Sequence, residues 1–276
     1  MENPTQMIAS KTTFLTNDIS YQIWNKKYRV NNESFDEWLT RVSDNNPNLR
    51  QLIKEGKFLF GGRILANVNT DRGSLSNCYS SGYVGDSLKE IMQVNTNLAL
   101  TYQKQGGQGV SLSKIRPKGS KVGEHFESDG IIPFMEMYNK TTESISQGAG
   151  RRGALLISLD INHLEAETFI KIKSDPTKIN NANLSVEIDD EFMRCVEAYY
   201  HTGIEYPLGI TRKYANETIQ YEIIPIKLFK LLCEQACKYA EPGIIFTERF
   251  RNYNLMEFDN DYKIETCNPC GEVRLM

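Results

Sequence analysis

The sequence predicts an α/β protein: a small helical segment over 1–57, then a mainly parallel sheet with covering helices over 58–276. Three observations lead there. Short apolar runs alternate with amphipathic helical stretches from residue 58 onward, the pattern of strand–helix–strand units. The run Ala154-Leu-Leu-Ile-Ser-Leu-Asp160 is almost unbroken in apolar character, which suits a strand covered on both faces. A chain of 276 residues that is 40% apolar can also fill a sizeable core.

Taken in order, Ser34-Phe-Asp-Glu37 has the spacing of a capping box ahead of Trp38 and Leu39, and a second helix starts near Pro47. Residues 58–65 and 75–84 read as extended. Asp86 stands where it can cap a helix with Leu88, Ile91, Val94 and Leu98 on one face. A strand at 109–113, a helix over 130–146 and the strand at 154–160 follow. Next come a helix over 163–172, a strand at 184–188 and a helix over 189–199, with a loop at 174–183 that is rich in Asp, Pro, Thr and Asn. The last strong helix, 225–240, aligns Leu228, Leu231, Leu232 and Ala236 and stops at Pro242-Gly243, before a strand at 244–246.

Charge excludes some partners. With 32 basic and 35 acidic residues the formal net charge is -3, so neither a nucleic-acid-coating surface nor an anionic membrane partner is expected. No apolar run approaches the ~18 residues of a membrane span and the N-terminus lacks a leader pattern, so a cytoplasmic location is expected. Six cysteines are too sparse for a disulfide scaffold in a chain of this length.

The most informative cysteine is Cys270, in Asn268-Pro-Cys-Gly-Glu272. In an extended segment positions i, i+2 and i+4 point the same way, so an amide, a thiol and a carboxylate would converge on one ligand. A plain turn is the competing reading. Cys267 and Cys270 also form a Cys-x-x-Cys pair, and with Cys233 and Cys237 upstream four thiolates could hold zinc. Against zinc, Cys233 and Cys237 sit on an amphipathic helix, where burial is expected of them and of Cys195. The cluster Lys104-Gln-Gly-Gly-Gln-Gly109 is not a phosphate loop, because no Gly-Lys-Ser/Thr follows and it leads into a strand. It is a tight turn or a place where backbone approaches a ligand closely. Gln147-Gly-Ala-Gly-Arg-Arg-Gly153 puts two arginines in a glycine-rich loop, as surface charge or as an anion-responsive element.

Read together, six segments in order resemble the catalytic subunit of the ribonucleotide reductases. They are Leu75-Ser-Asn-Cys-Tyr79, Gly85-Asp-Ser-Leu88, Lys104 to Gly109, Lys114-Ile-Arg-Pro-Lys-Gly119, Ser146 to Gly153, and Asn268 to Glu272. The resemblance implies the first half of a ten-stranded α/β barrel, a parallel five-stranded half-barrel, ending at a finger loop that bears a radical cysteine. It implies that Cys270 becomes a thiyl radical that takes the ribose 3'-hydrogen, with Glu272 as general base on the 3'-hydroxyl and Asn268 bonding the substrate. Cys78 matches the first reducing cysteine, and Asn77 and Gly107 fall where the family contacts substrate. Asp86, Ser87 and Arg116 fall in segments that bind a deoxynucleotide effector. Arg151 and Arg152 fall in the loop that relays effector identity.

The wording of these motifs is closer to the adenosylcobalamin-dependent branch, with a radical from a separate metallo-subunit as the alternative. The implied partners are a ribonucleotide, a deoxynucleotide effector, a thioredoxin-type reductant and a second copy of the chain. No resident metal is expected. The family's second reducing cysteine and second half-barrel are not in the sequence, so the expectation is an N-terminal half that does not turn over alone. It would need a complementing C-terminal half, as with a split gene, an intein-interrupted gene or a truncated product. Two other readings remain: a non-catalytic protein that binds nucleotide or is stabilised by zinc on four cysteines, and an inactive remnant.

Overall fold

The computed structural model describes residues 15, 17–145, 153–215, 217–256, 264–272 and 274–275. They fall into two compact units, Met1–Asn77 and Cys78–Met276. The helical segment expected over 1–57 lies in the first, which runs on to Asn77.

The first unit is built from α1 (Asp18–Ile23), which continues into a π-helical turn at Trp24–Tyr28, α2 (Phe35–Val42), α3 (Pro47–Lys54) and α4 (Gly62–Asn67). The capping box forms: Ser34 Oγ accepts from the Glu37 amide at 3.2 Å, and the Glu37 carboxylate accepts from the Ser34 amide at 2.6 Å. Phe35 and Trp38 stack with centroids 5.5 Å apart, and Trp24 stands edge-on to both. The extended reading of 58–65 is corrected. Ile64 and Leu65 begin a helical turn on the Gly61 carbonyl, and the Leu65 carbonyl accepts from the buried Trp38 indole at 3.2 Å. A short apolar run does not distinguish strand from helix, and here the tryptophan core decides.

In the second unit five strands form one parallel sheet: β1 (Cys78–Tyr83), β2 (Gly107–Ser111), β5 (Leu155–Asp160), β6 (Ala182–Ile188) and β9 (Gly243–Phe246), in the order β1-β2-β5-β6-β9. The intervening helices are α5 (Leu88–Gln103), α6 (Ile132–Ser144), α7 (Ala166–Lys171), α8 (Asp190–Thr202) and α9 (Pro225–Tyr239). A short α10 (Thr247–Asn252) follows β9. The half-barrel pattern of strands and helices is therefore present. β2 lies two residues earlier than the 109–113 expected. The cap of α5 also differs: Ser87 accepts from the Glu90 amide, while Asp86 pairs with Arg116. Two antiparallel hairpins not expected from the sequence are β3 (Lys121–Val122) with β4 (Phe126–Glu127), and β7 (Leu208–Lys213) with β8 (Thr218–Ile223).

Alternation gives the sheet two unlike faces. Val110, Leu155, Ile157, Leu159, Leu184, Val186 and Ile188 pack under the helices against residues such as Leu98, Met135, Phe169 and Phe192. Two tyrosines in this layer satisfy their hydroxyls: Tyr138 donates to the Ile91 carbonyl at 2.9 Å, and Tyr102 lies 3.1 Å from Thr142 Oγ1. The opposite set, from register, is Cys78, Gly107, Gly109, Ser111, Leu156, Ser158, Asn183, Ser185, Glu187 and Ile245. This second face is mostly small and polar, with Leu156 and Ile245 as its apolar members. Ser158 Oγ donates to the buried Glu187 carboxylate at 2.6 Å across it.

Loops at the C-terminal strand ends are held by buried polar groups. His163 Nε2 meets the Ile115 carbonyl at 2.8 Å, its Nδ1 accepts from the Glu165 amide at 3.1 Å, and burial holds its pKa down at about 4. The Glu165 carboxylate accepts from the Ile131 and Lys118 amides at 3.1 and 3.3 Å, and burial pushes its pKa up. Arg212 of β7 pairs with Asp160, and Tyr221 of β8 donates to the Asn162 carbonyl, which seats the second hairpin over the end of β5. Among the described residues no helix is long and apolar enough to cross a membrane.

Candidate active site

The site lies on the polar face, where the chain returns through β10 (Thr266–Cys267), which pairs antiparallel with β11 (Arg274–Leu275). Between them residues 268–271 close a turn, with the Gly271 amide donating to the Asn268 carbonyl at 3.0 Å and Gly271 at φ +80. The extended geometry expected of Asn268, Cys270 and Glu272 is thus replaced by a turn. Asn268 and Pro269 are buried, and Cys270 and Glu272 are exposed.

Two glycines let this finger lie on the sheet. A Cβ on Gly109 would collide with the Cys267 carbonyl oxygen, and one on Gly107 would stand 2.9 Å from Pro269 Cγ and from Ala154 Cβ. The close approach foreseen for the glycine cluster is therefore made, in this structure, by the chain's own finger. Cys267 is fully buried against Leu156 and Ile245, which fastens the turn from the other side. Upstream of the finger, Glu265 lies 3.8 Å from Lys114, whose ammonium stands 4.3 Å over the Tyr83 ring at the end of β1.

The consequence is a meeting of three reactive groups. Ligand atoms of Cys78, at the start of β1, and of Cys270 and Glu272 all lie within 4.8 Å of one another. Although Cys270 is largely exposed, partial desolvation at the finger, then the electrostatic influence of Cys78 and Glu272 and a hydrogen bond with Cys78, raise its pKa. The shift favours the protonated thiol over the thiolate.

The other expected site residues are placed as follows. Gly107 pairs in register with Cys78, directly beneath the finger. Asn77 is exposed and ends the first unit, one residue before Cys78. Asp86 and Arg116 are committed to each other: the guanidinium lies 2.8 Å from the carboxylate, and the Arg116 amide donates to it at 3.0 Å. The Ser87 hydroxyl caps α5. Arg151 and Arg152 lie outside the described residues.

The four cysteines weighed as a zinc set do not converge. Cys233 and Cys237 are exposed on α9, and Cys267 is buried beside Leu156. The burial expected of Cys233 and Cys237 is also corrected, because the apolar stripe of α9 turns Leu232 to the core and leaves both thiols on the outer side, while Cys195 is half-buried. Sequence reasoning missed Gly109, Leu156 and Ile245 as supports of the finger. The alternation Gly107, Gly109 along one strand was the signal available for the first of these.

The structure is thus an α/β protein whose parallel five-stranded sheet gathers two thiols and a carboxylate on one face. The chain belongs to the ribonucleotide reductase barrel-domain family: residues 76–276 match the family model described as "Ribonucleotide reductase, barrel domain". It is similar to the vitamin B12-dependent ribonucleoside-diphosphate reductase of Thermoplasma acidophilum, 34% identical over 221 residues that cover 79% of this chain and 28% of that protein. It is also similar to the protein of the same description from Mycobacterium tuberculosis (strain CDC 1551 / Oshkosh), 30% identical over 229 residues, 82% of this chain and 31% of that one. The ribonucleoside-diphosphate reductase subunit alpha of Synechocystis sp. is 35% identical over 138 residues, 48% of this chain and 18% of the relative. The chain thus spans less than a third of the length of these relatives.

Proposed function

We propose that this chain supplies the radical-bearing half of a ribonucleotide reductase site, acting on a ribonucleoside diphosphate, the substrate class printed in the names of its relatives. The observation that carries the reading is the convergence of Cys270 and Glu272, on a finger seated on Gly107 and Gly109, with Cys78 of the first strand.

In this reading Cys270 Sγ, oxidised to a thiyl radical, takes the 3'-hydrogen of the ribose and later returns it. A thiol suits the task because its S–H bond is close in strength to the activated C–H bond. The raised pKa supports the role, since a thiolate has no hydrogen to give. Glu272 accepts the proton of the 3'-hydroxyl through its carboxylate oxygen. Cys78 Sγ hands a proton to the departing 2'-hydroxyl, which leaves as water, and Cys78 then contributes to a disulfide with a second thiol supplied by the complementing half. Asn268, buried in the turn beside Cys270, is proposed to bond the substrate, and Asn77 is carried as a further proposed substrate contact.

Adenosylcobalamin is the proposed radical source, in line with the names of the Thermoplasma and Mycobacterium relatives. Among the described residues its fit rests on one point: the Cys270 thiol that must be oxidised is exposed rather than sealed under the finger. When bound, the cofactor supplies the one-electron oxidising equivalent. Effector binding is proposed for the segments organised by Asp86, Ser87 and Arg116 and for Arg151 and Arg152. A thioredoxin-type reductant, a homodimer and a cytoplasmic setting complete the reading.

The test joins this chain to the second half-barrel, in one polypeptide or by co-expression, and measures deoxynucleotide formation with adenosylcobalamin and a dithiol. Turnover is expected, and Cys270→Ala is expected to abolish it. Turnover that survives Cys270→Ala overturns the assignment.

A further inference from the structure

The cluster at the finger has the composition of a metal chelate as well as of a radical site. We propose that Cys78, Cys270 and Glu272 form a binding site for a thiophilic divalent cation of the Zn²⁺ and Cd²⁺ class, and that an ion held there blocks the reductase chemistry. The binding claim stands on geometry alone, and the blocking claim rests on the function proposed above.

Three donor atoms already lie within 4.8 Å of one another. In a tetrahedral site with Zn–S near 2.3 Å and Zn–O near 2.0–2.2 Å, neighbouring donors are about 3.5–3.8 Å apart. Closing from the present spacing therefore takes at most about 1.0–1.3 Å of side-chain movement. The groups that must move are the ones that can: Cys270 and Glu272 are exposed, whereas Cys78 is fixed in β1 by its pairing with Gly107. The backbone of the finger is already positioned, pinned beneath by Gly109 and behind by the burial of Cys267. A metal would meet a preorganised bite with an open path from solvent.

Donor type sets the selectivity. Two sulfurs and one carboxylate favour Zn²⁺ or Cd²⁺ over the oxygen-seeking Mg²⁺ and Ca²⁺. Three protein ligands leave a fourth position for water. Binding replaces the two S–H bonds by metal–sulfur bonds and releases their protons to solvent, with no electron transfer. The result removes the hydrogen that Cys270 would exchange with the ribose and occupies the carboxylate that would act as base.

Cys233 and Cys237 supply an internal control, because they are exposed thiols one helical turn apart on α9 and outside the cluster. The experiment is anaerobic titration of the reduced 276-residue chain with Cd²⁺, read by the ultraviolet sulfur-to-cadmium charge-transfer band and by equilibrium dialysis. One ion per chain is expected, with affinity at least about 10-fold lower in Cys78→Ala and in Cys270→Ala, because each removes a first ligand. A smaller loss is expected in Glu272→Gln, and none in the Cys233→Ser/Cys237→Ser double variant. A band that survives both alanine variants, or that is lost with the α9 pair, overturns the site.

Should either alanine variant fail to fold, alkylation of the unaltered chain gives the answer. Zn²⁺ is expected to protect Cys78 and Cys270 from iodoacetamide while Cys233 and Cys237 still react; equal labelling with and without Zn²⁺ overturns the site. In the complemented reductase, Zn²⁺ is expected to suppress turnover, with restoration by a chelator. Binding without suppression overturns the blocking claim. Absence of turnover before any metal is added counts against the function proposed above, and the cadmium result stands apart from it.

Discussion

The two faces of the five-stranded sheet are made by the same strands and do different work. In β5, Leu155, Ile157 and Leu159 meet the helices, while Leu156 and Ser158, one residue out of step, meet the finger and the interior. The helix-covered face is filled by branched and aromatic side chains and accounts for the stability of the unit. The other is kept small with Gly107, Gly109 and serines so that a turn carrying Cys270 can lie against it. Fold and chemistry are thereby separated by the period-2 alternation of a strand.

That separation can be broken from either side. The largest effect is expected on the covered face, where Ile157→Ala should cost about 2–5 kcal/mol of unfolding free energy, read by denaturant titration, because it empties a fully buried site. A loss under about 1 kcal/mol would contradict the division. Next is the pH dependence set by His163. Unfolded, it takes a proton near its ordinary pKa of about 6.5; folded, it does so only near 4. Between these values the unfolded chain binds more protons, so stability is complete above about pH 6.5 and falls as pH drops toward 4, by about 3 kcal/mol at most. The His163→Gln variant should lack this component, and an unchanged slope would refute the assignment.

On the finger face the expected effects fall on activity. Gly109→Ala forces the Cys267 carbonyl away and displaces the turn, so turnover of the complemented reductase should drop about a hundredfold, as for a catalytic group misplaced by ~1 Å. Secondary structure by circular dichroism should be retained, and wild-type turnover would show that the finger does not need this contact. The smallest effect is expected at the exposed Cys233: Cys233→Ser should shift stability by no more than about 0.5 kcal/mol. A larger loss would return it to the core.

Much of the covered face was legible in the sequence, because apolar periodicity reports burial directly: the strand expected at 154–160 and the helices near 132–144 and 225–239 all form, as does the Ser34 capping box in the first unit, which capping spacing signalled. The hairpin of β7 and β8 was not, since Tyr214, Ala215, Asn216 and Glu217 between its strands include no glycine to signal a tight turn, and Arg212 and Tyr221 of its strands carry polar ends. Asp86 looked like a helix cap because the rule is local, and its actual partner, Arg116, is thirty residues away. The site was legible as residues, through motifs, and not as geometry. The turn at 268–271 and the seating of Cys270 beside Cys78 depend on contacts with Gly109, which the glycine alternation could have signalled, and with Leu156 and Ile245, which no local pattern encodes.

The central claim, that the finger holds the Cys270 thiol against Cys78 of the first strand, is open to direct measurement. The reduced chain, treated with the short bifunctional thiol reagent dibromobimane and digested, should yield a single fluorescent cross-linked peptide pair joining Cys78 to Cys270. Single-ended labelling of both thiols, with no cross-link between them, would contradict the account.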